Sequence, residues 1–242
     1  MIPYLYVTLP VFTIGALAFW WAGRTVSATV RHERWMKFIT YVAIVHGVLL
    51  ATILGTAAIT ALVVVIAVAG AIELGRLVGR LRPGTLAVAA IVYLLVAWRA
   101  ITLASAAPPA FVAYLYLVVA VFDGFSQASG QIAGRRRLAP SISPSKTVEG
   151  LAIGAAITVA CAFGLRSLAL ASMRTAALVG AVTVVAGLAG DLGASWVKRR
   201  AGVKDYGAIL PGHGGVLDRF DSFLAVAAAL SCFAVVVTSG LS

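Results

Sequence analysis

Of 242 residues, 62% are hydrophobic and only 11% are charged, whereas soluble globular domains carry about 25% charged residues, which excludes an ordinary soluble fold. The net charge of +11 does not point to nucleic acid, because the basic residues sit in short clusters between apolar runs, as cytoplasmic loops do. Cys161 and Cys232 both lie inside apolar runs without metal-type spacing, and read as packing residues, not as a disulfide.

Apolar runs of about 20 residues, the length that crosses a bilayer, predict spans in chain order near 4–23, 38–55, 57–75, 85–104, 108–123, 150–170, 175–195 and 222–241. The expected fold is all-α: a polytopic integral membrane protein of about eight transmembrane helices, with N- and C-termini outside. The first run lacks the basic leader of a cleaved signal peptide and reads as a retained span. Within 38–75, Gly55 and Thr56 offer only a tight reversal, so two crossings and one longer broken helix both fit. Residues 1–104 group as N-terminal transmembrane helices. Residues 105–242 group as a catalytic transmembrane region with cytoplasmic loops at 123–149 and 195–221.

Charge sets the orientation. An outside N-terminus places Arg24, Arg31, Arg34, Lys37, Arg76, Arg80, Arg82, Arg135, Arg136, Arg137, Lys146, Lys198, Arg199, Arg200, Lys204 and Arg219 inside. Of the 19 basic residues that leaves only Arg166 and Arg174 outside and Arg99 within a span, the asymmetry expected of cytoplasmic loops. All eight acidic residues fall on the same side or at the helix ends facing it. Topology does not ask for that; a metal-dependent site on the cytoplasmic face does. Glu73 is expected to pair with Arg76 one turn on. His46 reads as a hydrogen-bonding group between spans, and Trp20, Trp21 and Trp35 as interface anchors.

The first loop opens with Asp123-Gly-Phe-Ser-Gln and runs to Glu149-Gly150. Ser143 before Pro144 reads as an N-cap followed by an N1 proline. A helix starting there would aim its free N–H groups at a phosphate, with Lys146 adding a point charge in the first turn. An ordinary capped helix start explains the same residues.

In the second loop, Asp191, Ser195, Lys198 and Arg199 recur at helical spacing and share one face. Snorkelling at a helix end accounts for the two cations, but not for a carboxylate at membrane depth, which is expected to face a cavity or a partner. Glycines flanking His213 permit close backbone approach to a ligand, as they would in a plain turn. Asp218 and Asp221 stand three residues apart at the mouth of the last span. A helix macrodipole explains one of them better than two, and a few carboxylates completed by water and substrate phosphates are what Mg²⁺ prefers.

Ser195-x-x-Lys198-Arg199, Lys204-Asp205-x-Gly207 and Pro211-Gly212-His213-Gly214-Gly215-x-x-Asp218-Arg219-x-Asp221, in this order and spacing, resemble the phosphatidate cytidylyltransferase family. Ser143-Pro-x-Lys146-Thr147-x-Glu149-Gly150 resembles the same family. The resemblance covers roughly residues 108–242, and the Asp123-Gly-Phe-Ser-Gln wording is closer to a shorter bacterial branch than to the housekeeping form.

The resemblance implies a nucleotidyltransferase of phospholipid biosynthesis, making CDP-diacylglycerol and pyrophosphate from CTP and phosphatidate, in the inner membrane with its site facing the cytoplasm. It further implies Asp191, Asp218 and Asp221 as ligands of Mg²⁺, with room for a second cation. Lys146, Lys198, Arg199, Lys204 and Arg219 become phosphate-binding cations. Ser195, Asp205 and His213 join them as catalytic candidates, while Asp123, Ser143, Thr147, Glu149, Gly212, Gly214 and Gly215 become substrate-binding candidates. Membrane lipids and a homodimer fit the family; nucleic acid does not. The rival readings are a CDP-archaeol synthase, a CTP-dependent polyprenol kinase and, from another class, a lipid transporter.

Overall fold

A computed structural model describes residues 2–22, 24, 27–212 and 214–233. In chain order these form α1 (Ile2–Ala22), α2 (Ala28–Ile53), α3 (Thr56–Gly75), α4 (Pro83–Ala106), α5 (Pro109–Ala133), β1 (Arg137–Ala139), β2 (Ser143–Thr147), α6 (Val148–Gly164), a 3₁₀ turn (Arg166–Ala169), α7 (Met173–Arg200) and α8 (Leu217–Ser231). The described residues are mostly helical, and their sheet is one small hairpin. Among the described residues five helices, α2, α3, α4, α5 and α7, are long and apolar enough to cross a membrane, whereas α6 is shorter at 17 residues.

Local chemistry sets the boundaries. Pro83 and Pro109 occupy the first turns of α4 and α5, where a missing N–H costs nothing and the fixed φ suits a helix. Ser27 caps α2 by accepting the Val30 N–H, so this helix starts well before its apolar run. Gly55, at φ +107°, separates α2 from α3, which resolves 38–75 into two helices; a side chain at that φ would be strained. His46 bonds the Val42 carbonyl within α2 and the Thr8 hydroxyl of α1, in the packing role expected of it.

The core is centred on α5, whose residues Phe111 through Val119 are all buried. Helices α2, α6, α7 and α8 pack around it, and α4 packs against α3 and α8. Two glycine contacts bring helices unusually close. A Cβ on Gly150 would lie 2.7 Å from the Ser126 carbonyl oxygen and 2.8 Å from Gly130 Cα, and one on Gly154 would collide with the Ser126 hydroxyl, so α6 lies directly on α5. A Cβ on Gly190 would lie 2.5 Å from Ala225 Cβ, so α7 lies equally close to α8. The second approach sets Asp191 close to Asp221, since Gly190 also meets the Asp221 backbone.

Three sequence expectations change. The stretch from Asp123 to Ala133 is the last part of α5, not loop, because polar residues continue a helix once it leaves the apolar layer. Ser143 does not cap a helix: it pairs with Ala139 in the β1–β2 hairpin, and Thr147 caps α6 by accepting the Gly150 N–H at 3.1 Å. Both residue types cap well, but the paired strand runs from Ser143 through Thr147, so the helix starts only after it and the last strand residue becomes the cap. The second loop is also shorter than expected. Helix α7 continues to Arg200 and α8 begins at Leu217.

Candidate functional site

The β1–β2 hairpin and the segment between α7 and α8 lie at one end of the bundle. The Thr40 hydroxyl of α2 donates to the Pro211 carbonyl, and Arg199 Nε of α7 donates to the Ile142 carbonyl in the hairpin. Beneath them lies a cavity of about 260 Å³. Its charged lining comes from four elements: Asp123 on α5, Lys146 on β2, Asp191 and Lys198 on α7, and Asp218, Arg219 and Asp221 on α8. Ser143, Thr147 and Ser126 add hydroxyls, and Tyr41, Ile44, Leu151, Leu188 and Phe223 add an apolar wall.

Two ion pairs share this cavity and differ in burial. Lys146 pairs with Asp191 where both side chains remain about a quarter exposed, and Asp191 also accepts the Ser195 hydroxyl at 3.3 Å. Lys198 Nζ lies 2.7 Å from Asp218 Oδ1, with the Asp218 side chain only 2% exposed. The other Asp218 oxygen accepts the Tyr206 and Gly215 N–H groups, both at 2.8 Å. Asp218, expected as a metal ligand, therefore has both oxygens engaged by protein donors and ties the second loop to α7 and α8. Lys198 also sits 5.3 Å from the ring centre of Tyr206. Burial pushes the Tyr206 phenol well above its ordinary range, so it stays protonated and donates to the Ala194 carbonyl.

Asp123 and Asp221 face the same space. Asp123 accepts the Ser222 hydroxyl at 3.1 Å and Asp221 the Ser222 N–H at 2.7 Å, which leaves each an oxygen without a protein donor among the described residues. Both lie within electrostatic range of Asp191. Among the described residues no three His, Cys, Asp or Glu side chains are close enough to form a metal cage.

Other expected site residues lie elsewhere. Arg199 bonds the hairpin and the Val203 carbonyl. Lys204 and Asp205 are exposed on the loop and outside the cavity lining. Glu149 accepts the Arg135 and Arg136 N–H groups at 2.9 and 3.0 Å, which hold its carboxyl below the usual range; it anchors the basic loop. Gly212 and Gly214 adopt positive φ and shape the turn, bridged by Leu210 and Gly214. His213 lies outside the described residues.

Sequence reasoning also misplaced Glu73. Glu73, on α3, does not pair with Arg76: it is wholly buried, and its two oxygens accept the Val216 N–H at 2.9 Å and the Leu217 N–H at 2.8 Å. A Cβ on Gly215 would lie 2.5 Å from Glu73 Oε1, and one on Gly207 2.9 Å from it. The signal available was the acidic residue itself, in an otherwise apolar helix.

These features define a helical membrane protein whose polar residues converge on one cavity of mixed charge at the end of the bundle. The chain belongs to the Cytidylyltransferase family, which matches it over residues 3–237, so the match also takes in the N-terminal helices. It is similar to a phosphatidate cytidylyltransferase of Staphylococcus aureus, 39% identical over 118 residues, which are 48% of this chain and 45% of that protein. A phosphatidate cytidylyltransferase of Brucella abortus is 42% identical over 123 residues, 50% of this chain and 46% of the relative. The matched stretch thus spans less than half of each relative's length.

Proposed function

We propose that the protein is a phosphatidate cytidylyltransferase of the inner membrane, joining CTP to phosphatidate on the cytoplasmic side to give CDP-diacylglycerol and pyrophosphate. In this reading the chain crosses the bilayer about eight times with both termini outside, as its basic loops favour. The observation that carries the proposal is the meeting of Lys146, Lys198 and Arg219 with Asp123, Asp191 and Asp221 in one cavity. The family and its relatives' names support the same reading.

The reaction brings two anions together. A phosphatidate oxygen attacks the α-phosphorus of CTP, the bond from that phosphorus to the bridging oxygen breaks, and the electron pair leaves on pyrophosphate. Little covalent help is needed, so positioning and fixed positive charge carry the catalysis. Lys146 is the cation open to exchange: its pair with Asp191 is about a quarter exposed, and an incoming phosphate competes for it. Arg219 is exposed at the rim and suits the second phosphate group. Lys198, locked to Asp218, contributes a fixed field from below.

Mg²⁺ needs only one or two carboxylates, completed by water and substrate phosphates, so the lack of a three-residue cage among the described residues does not oppose it. Asp191 and Asp221 would hold it, with Asp123 beside them; when bound it would neutralise charge on the leaving pyrophosphate.

The test is to incubate the purified protein, in nanodiscs containing phosphatidate, with CTP and Mg²⁺, and to identify lipid and soluble products by mass spectrometry. The expected outcome is CDP-diacylglycerol with one pyrophosphate per lipid. Release of CDP with a newly phosphorylated lipid would identify a kinase, and consumption of neither substrate would leave a non-enzymatic role; either result ends the proposal.

A further inference from the structure

We infer that Glu73 is a positioning residue for the proposed reaction, acting from α3 through the start of α8. The inference rests on that functional reading for its kinetic consequence, and on geometry alone for the contact.

A buried carboxylate is expensive unless donors compensate it. Glu73 is wholly buried and forms no ion pair within 4.0 Å among the described residues. Its compensation is the Val216 and Leu217 N–H groups, at the positive end of the α8 macrodipole. Helix α8 has no side-chain cap of its own at Val216; Glu73 supplies that cap from 143 residues away in sequence.

What the cap holds is the reactive edge of the cavity. Asp218, Arg219 and Asp221 follow within five residues of Val216, and all line the cavity. Gly215 donates to Asp218 Oδ2 while leaving no room for a side chain beside Glu73. Gly207 leaves none on the other side. The carboxylate is thus a peg between two loop segments, and the absence of side chains at 207 and 215 is the socket. Shifting the peg rotates or retracts the first turn of α8, and with it Arg219 and Asp221, without touching substrate directly. A displacement of about 1 Å in a positioning group costs up to about 100-fold in rate.

Three variants in nanodiscs test this. Glu73→Gln keeps the volume but turns an amide N–H₂ toward a backbone donor. Gly207→Ala pushes on the same carboxylate from the loop side. Arg76→Ala leaves the cap intact. Each is measured for kcat and KM, per folded molecule by active-fraction size exclusion, and for hydrogen–deuterium exchange over residues 205–219. We expect Glu73→Gln to lower kcat about 10- to 100-fold with KM for CTP within about 3-fold of wild type, and to accelerate exchange at 215–219. Gly207→Ala should do the same more weakly, combine with Glu73→Gln less than multiplicatively, and Arg76→Ala should match wild type.

A purely structural role would lower the folded yield and leave kcat per folded molecule unchanged; that result overturns the inference, as does unchanged exchange in Glu73→Gln. If wild type makes no CDP-diacylglycerol, the functional reading fails by itself, and the exchange arm still decides whether Glu73 holds the start of α8.

Discussion

Helices α4 and α5 are consecutive, nearly equal in length and both apolar, yet their apolar residues answer to different surroundings. Of the most apolar window of α4, 17% is buried inside the protein, against 56% for α5. Helix α4 turns Val88, Ile91, Val92, Leu94, Leu95 and Trp98 outward, all more than half exposed. Helix α5 keeps Phe111 through Val119 inside and carries Asp123 on to the cavity. Hydropathy is therefore blind to the division that matters: one helix leaves its apolar side chains exposed, while its neighbour is the axis on which the cavity is built. The same division separates the halves of the chain. Apart from Tyr41 and Ile44 of α2, every cavity residue lies on α5 or beyond, and the first half contributes mainly support, such as the Glu73 cap.

That contrast breaks most sharply at the two ion pairs, which look alike in sequence and differ in burial. Lys198→Met removes the cation from a carboxylate that is 2% exposed. Losing one partner of a buried pair costs about 3–5 kcal/mol, and the two N–H bonds to Asp218 place the loss at the lower end. Denaturant unfolding in detergent checks it; a loss below about 1 kcal/mol would mean that the pair is no more than a surface contact. Lys146→Ala should act in the opposite sense. Its pair with Asp191 is part-exposed and worth at most about 1 kcal/mol of stability, but under the proposed function, in which it meets the phosphates, its loss costs about 10²–10³-fold in kcat/KM. Steady-state CDP-diacylglycerol formation measures that. Equal damage to stability from both lysines would erase the distinction between the structural and the functional pair.

The sequence was legible where chemistry is local. The helical spacing of Asp191 and Ser195 became a hydrogen bond, Gly55 took the reversal rather than the broken helix of the two readings open there, and Asp191, Lys198, Asp218 and Asp221, which the family resemblance rather than spacing grouped, line one cavity. It was not legible where the deciding partner is far along the chain. Glu73 had an attractive cation three residues away, and its actual donors lie on α8. Ser143 and Thr147 are equivalent caps in one dimension; pairing with β1 carries the strand through to Thr147, so only its last residue is placed to cap the helix. The polar tail of α5 reads as loop by composition, because a helix beyond the apolar layer needs no apolar residues. Asp218 is the subtlest case, since spacing marks it as a site residue without revealing that protein donors occupy both oxygens.

The remaining contrast is between helix contacts made by protein and those made by lipid. Gly154→Val drives a side chain into Ser126 across the α5–α6 contact, and overpacking of this kind costs about 1–3 kcal/mol, read as a lower midpoint of thermal unfolding; an unchanged midpoint would mean that the two helices can separate freely. Ile91→Ala on α4 removes apolar volume, but from a residue that is 66% exposed. In a bilayer that surface meets acyl chains in the folded state and after helix separation alike. No transfer from water is lost, because lipid tails are as apolar as leucine. The expected change is within about 0.5 kcal/mol, measured by the same unfolding assay. A loss several times larger would show that Ile91 packs against protein, and α4 would then belong with α5 as a buried helix.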